Sequence, residues 1–268
     1  MLQTSINVFL GAFRFPGLAW TLILLSVVFA LACGAIWLTG YWPPVLKKPW
    51  LWAVAAVSAF LTWTAIAFVQ VPLQNWTGQL LVHFWSPLVL QRWLLLAGIP
   101  QIWLSGLVQE GAKLVPMVGY WGRNKFSLTP KQGLIVGAMA GAGFGVFEAV
   151  WVFNTIFASG FNWHSVEVGG YMALLGFWER LFSVGFHIAI SALAGYGLAR
   201  RLGWQFYLIA SVLHGAANYS VVLLQSGRLT AVQTEIYIAV FAAVVTAVAL
   251  WLRWRHEETV PSDVQEKG

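Results

Sequence analysis

Seven times along this chain an apolar run reaches the length that a helix needs to cross a hydrocarbon core, and that pattern constrains the fold more than any other feature. A core roughly 30 Å thick takes about 20 mostly apolar residues. The runs cover approximately 17–40, 50–72, 93–121, 133–158, 172–199, 203–226 and 230–252. Composition agrees, because 59% of the residues are hydrophobic and 9% charged, leaving too little polar surface for a water-exposed fold and too much apolar surface for disorder. The expected fold is an all-α, polytopic membrane helix bundle with the lipid bilayer as its solvent. No linker or repeat divides it, so residues 1–255 read as one transmembrane domain, with its motif-bearing core at about 93–226, and 256–268 as a polar cytoplasmic tail. The single cysteine, Cys33, excludes an internal disulfide and a cysteine-based zinc site.

Loop charges orient the bundle, since basic loops stay in the cytoplasm. Seven spans put Lys47, Lys48, Arg123, Lys125, Lys131, Arg200, Arg201, Arg253, Arg255 and Lys267 on one side and only Arg14, Arg92 and Arg228 on the other. The N-terminus is therefore expected outside and the C-terminus inside. The net charge of +6 is a topology signal, and no nucleic-acid partner is expected. Residues before 17 read as a short interfacial lead-in, and residues 73–92, bracketed by Pro72 and Pro87, as a segment lying flat at the outer interface.

Ionisable groups inside spans cost about 2.5 to 3.5 kcal/mol each on insertion scales, so they mark function or partnership. Span three carries Glu110 and Lys113, span four Glu148, span five Glu179, Arg180 and His187, and span six His214 and Asn218. Glu110 lies thirteen residues from Arg123, His187 thirteen from Arg200, His214 thirteen from Arg201 and Glu148 seventeen from Lys131. At about 1.5 Å per residue all four sit roughly 20 to 25 Å above the cytoplasmic charges. They share one level. Gly133, Gly137, Gly141 and Gly145 form a small-residue stripe on span four that suits close helix packing and turns Glu148 inward. Glu179 and Arg180, adjacent on one helix, are expected to point apart, with Arg180 a partner of the site and Glu179 nearer the outer interface.

Two imidazoles and a carboxylate are the ligand set of a catalytic zinc with an open position, and a second carboxylate suits a general base. The expected metal ligands are Glu148, His187 and His214. Glu110 is expected to activate water, Lys113 to pair with Glu110 or keep it ionised, and Asn218 to donate to the developing oxyanion. The signature His-Glu-x-x-His is absent, and the case rests on convergence in depth.

The stretch Gln109-Glu110-Gly111-Ala112-Lys113, then Phe144-Gly145-Val146-Phe147-Glu148, His187, and His214-Gly215-Ala216-Ala217-Asn218 resembles the motif series of the PrsW family of intramembrane proteases. That family is related to the CAAX-type prenyl endopeptidases, with their Glu-Glu-x-x-x-Arg, Phe-x-x-x-His and His-x-x-x-Asn series. The resemblance spans Gln109 to Asn218. It implies hydrolysis of a membrane-associated protein substrate in a bacterial or archaeal cell membrane, with Glu110, Glu148, His187 and His214 at the active centre. It leaves two routes open, a metalloprotease and a metal-free, glutamate-activated water. The chain departs from the family at Gln109, where a first glutamate usually stands. Activity is weakened if that first position is the base, and intact if Glu110 matches the essential one.

Two other classes use such residues. A proton-coupled transporter also strings Glu and His through its spans, but this chain lacks paired broken helices in corresponding halves, and its polar groups gather instead of tracing a path. A catalytically weakened scaffold would keep the fold and tolerate Gln109.

Overall fold

The structure is a computed structural model that describes residues 2–42, 45, 47–125 and 127–255. The tail expected from 256 onward lies outside these residues. Among the described residues every regular element is helical. In chain order these are α1 (Leu2–Gly11), α2 (Trp20–Leu38), α3 (Pro49–Ala65), α4 (Val71–Phe84), α5 (Pro87–Arg92), α6 (Leu94–Ala97), α7 (Ile99–Arg123), α8 (Pro130–Ala158), α9 (Trp163–Gly169), α10 (Leu175–Ala199), α11 (Gly203–Gln225) and α12 (Ala231–Arg255).

Among the described residues, six helical stretches are long and apolar enough to cross a membrane. The expected third span, 93–121, is carried mainly by α7. At 25 residues α7 is about 37 Å long. It is the least apolar of the long helices because it bears Gln101, Gln109, Glu110 and Lys113, and it packs between α3 and α11.

One expected boundary is corrected. Residues 73–84 form no separate flat segment, because they continue α3 through a π-turn at Ile66–Gln70 into α4, one helical stretch of 36 residues. The cause is Pro72, which lacks an N–H and whose ring would clash with the carbonyl four residues back. Val71 instead donates to the Ile66 carbonyl five residues back, and the widened turn accommodates the proline.

α8 and α10 form the centre. In their apolar windows 72% and 78% of residues are buried, against 22% to 39% for the other four stretches, which face outward to lipid. α8 starts on a capping box, Thr129 and Gln132 satisfying each other's backbone N–H, with Pro130 at the first helical position. Its glycine stripe then runs along the backbone of α10. A Cβ on Gly141 would collide with the His187 carbonyl oxygen, and Gly137 and Gly133 meet Ser191 and Gly195 in the same way. Dispersion and backbone contact replace hydrophobic exclusion as the force between helices in lipid, so this approach fixes the pair.

Candidate active site

α7, α8, α10 and α11 converge where the sequence places its charged groups. Gly106, one turn before Glu110, lets α7 approach α11 so closely that a Cβ there would strike the Ser211 carbonyl oxygen. That contact brings Glu110 to His214, whose Nδ1 lies 2.6 Å from Glu110 Oε1. The Gly141 contact sets His187 from the other side, and the two imidazoles face each other with ring centroids 5.2 Å apart. Glu110, Lys113, His187 and His214 are all buried.

Lys113 bridges the pair. Its ammonium forms an ion pair with Glu110 and lies 3.1 Å from His187 Nδ1. An ammonium only donates, so His187 Nδ1 accepts and its Nε2–H points to Glu148 Oε2, 3.3 Å away. Phe144 closes the back of this group, 5.7 Å from Lys113 Nζ and edge-on to the His187 ring. The Phe144 and Glu148 of one motif therefore touch the same imidazole from two sides.

Glu148 is held by Arg180, whose Nη1 donates to Glu148 Oε2 at 2.9 Å. The expectation that Glu179 and Arg180 point apart is corrected here. The Arg180 guanidinium folds back onto Glu179 as well, and Ser183 one turn on donates to Glu179 Oε1 at 2.6 Å. A long side chain with five donors in a planar fork can serve two carboxylates at once, which adjacent Cβ directions alone do not reveal. Asn218 donates through Nδ2 to Ser105 Oγ at 3.0 Å, which orients its amide.

Glu110, His187 and His214 each offer a ligand atom, and these atoms lie within 4.8 Å of one another. Glu148 stands beside this trio, outside it. A small cavity of about 150 Å³ opens against the group and is lined by Gln109, Glu148, Arg180, His187, His214 and Asn218, among others. A divalent cation fits the donors present. Two imidazoles and a carboxylate are the right chemistry, Glu110 Oε2 is buried without a hydrogen-bond partner, and Lys113 Nζ already sits between Glu110 and His187.

Sequence reasoning missed Gln70. From the π-turn it reaches into the bundle and accepts from Gln109 Nε2 at 3.1 Å. Pro72, two residues on, was the available signal for a local break in the helix.

Fold and site together define a membrane-embedded helical protein with a buried Glu/His centre. Residues 47–249 match the family described as PrsW family intramembrane metalloprotease, and the chain belongs to that family. Neither the curated proteins nor the solved structures contain a match.

Proposed function

We propose that this protein cleaves a peptide bond of a membrane-associated protein, with Glu110, His187 and His214 holding a divalent metal and Glu148 taking the proton of the attacking water. The observation that carries this reading is that Glu110, His187 and His214 each offer a ligand atom within 4.8 Å of the others, while Glu110 Oε2 is buried without a hydrogen-bond partner. It exchanges the roles that spacing suggested for the two carboxylates. Glu148 lines the cavity from which water and substrate would arrive, and it lies outside the trio.

A divalent cation there would polarise the peptide carbonyl and lower the pKa of a water molecule. The chain's own groups supply the rest. Arg180 Nη1 and His187 Nε2–H both donate to Glu148 Oε2 and keep the carboxylate oriented as a hydrogen-bond acceptor. His214 donates from Nδ1 to Glu110, which leaves the lone pair on Nε2 as the one that could meet a cation. Asn218, oriented by Ser105, donates to the oxygen that gains charge. Lys113 balances the Glu110 carboxylate until a metal takes its place. The donor set suits zinc, and the family resemblance supports a bacterial or archaeal cell membrane as the setting.

Alanine at Glu110, His187 or His214 abolishes cleavage of a co-expressed membrane substrate while expression is unchanged; activity persisting in all three overturns the reading. Metal content separates the carboxylates. Glu110→Gln purifies with less bound metal, whereas Glu148→Gln retains it and is inactive. The opposite pattern restores the assignment from spacing.

A further inference from the structure

Four glutamines form a polar chain that ends at the site. Gln74 Nε2 donates to the Gln101 backbone carbonyl at 2.9 Å, and Gln101 Nε2 returns a bond to the Gln74 carbonyl at 3.0 Å. Gln70 Nε2 donates to Gln74 Oε1 at 3.3 Å, and Gln109 Nε2 donates to Gln70 Oε1 at 3.1 Å. Gln109 Oε1 is buried and has no hydrogen-bond partner, on a residue that lines the cavity next to Glu110.

A single amide can be turned over, exchanging oxygen for nitrogen at little cost. This chain cannot. A backbone carbonyl only accepts, so Gln74 must offer it Nε2 and turn Oε1 toward Gln70. Gln70 must then offer Nε2 to Gln74 and Oε1 to Gln109, and Gln109 must spend Nε2 on Gln70. The direction set at Gln101 is thus relayed to Gln109, a residue of the cavity lining, and leaves its carbonyl oxygen without a donor. The π-turn makes the relay possible, because Gln70 is buried while its neighbours Phe68 and Val69 are exposed on the outer face.

A buried acceptor without a donor costs free energy that a ligand can recover. Among the carboxylates of the lining, Glu148 Oε2 is committed to Arg180 and His187, and Glu179 to Arg180 and Ser183. A transmembrane substrate must unwind to expose its peptide bond, and each freed backbone N–H then lacks a partner in a water-poor site. A neutral carbonyl oxygen meets that need without adding charge.

We propose that Gln109 Oε1 accepts a backbone N–H of the substrate beside the scissile bond, with Gln70 and Gln74 as positioning residues that keep this oxygen facing the cavity. The proposal rests on the hydrolytic reading above and adds a substrate contact to it.

The full-length protein in lipid nanodiscs is given a panel of quenched-fluorescent transmembrane peptides. A peptide that is cut is remade with each flanking amide, excluding the cleaved bond, replaced in turn by an ester that lacks the N–H. In the wild type one ester position raises KM about fivefold with kcat nearly unchanged, the size of one net hydrogen bond. In Gln109→Met the amide and ester peptides have equal KM. Gln70→Met, which leaves Gln109 in place but free to turn, shrinks the ester effect and covers failure of Gln109→Met to fold. An ester effect identical in wild type and variants overturns the proposal, as does a uniform kcat loss on every peptide, which marks a Gln109-held water. A wild type that cuts no peptide overturns the hydrolytic reading and this contact with it.

Discussion

The His187 carbonyl oxygen rests against Gly141 with no room for a side chain between them, so the packing of α8 on α10 sets the position of a site residue. Alanine ordinarily stabilises a helix over glycine by about 1 kcal/mol. At position 141 overpacking of about 1 to 3 kcal/mol wins. Gly141→Ala is expected to lower the Tm in detergent and the activity together. Gly119→Ala on α7, where a Cβ meets nothing within 4 Å, leaves both unchanged or raises the Tm. Equal Tm shifts in the two variants would contradict this account.

Arg180 serves Glu148 and Glu179 at once. Arg180→Met strands two carboxylates in a poorly hydrated place and is expected to destabilise by about 3 kcal/mol. Arg180→Lys recovers only part of this, since a point charge cannot copy the fork. Adding Glu148→Gln to Arg180→Met recovers part of the stability, since Glu179 stays unpaired, without restoring cleavage. Thermal unfolding and cleavage assays on the wild type and the three variants check the order.

Lys113 occupies Glu110 and His187 as an internal cation, so it competes with any metal. Two like charges about 4 Å apart repel by about 4 kcal/mol at an effective dielectric of 20. Lys113→Met is therefore expected to hold zinc at least tenfold more tightly in a chelator competition, read by elemental analysis of the purified protein. Unchanged retention would place the metal away from this lysine.

The glutamine relay explains why an amide suits position 109. Gln109→Glu sets a carboxylate against Gln70 Oε1, two acceptors with no proton between them. The expected loss is about 1 to 3 kcal/mol at neutral pH. Gln70→Met in the same chain removes the facing oxygen and recovers the Tm, which a denaturation series on single and double variants reads directly.

Much of this was legible without coordinates. Depth along a helix follows from residue count, so Glu110, His187 and His214 could be placed at one level from their distance to the basic flanks, and the structure brings them together. The stripe from Gly133 to Gly145 announced a close helix contact, and Gly141 delivers it at His187. Counting fails where the helix itself changes. The π-turn before Pro72 shifts the register of everything after it, so the inward turn of Gln70 and the helical continuation through Phe84 were hidden in a pattern that assumes 3.6 residues per turn.

Apolar run length and helical period determined that the chain is a lipid-embedded helix bundle and that Glu110, His187 and His214 lie inside it. Only the tertiary structure decided that Glu110 lies with both imidazoles within one small group, that Arg180 clasps both neighbouring carboxylates, and that Gln109 Oε1 is left without a partner. The physical reason is that numbering fixes translation and rotation within one helix, whereas the rotation of one helix against another comes from backbone contact at glycines and from the reach of long side chains, quantities that no single helix contains.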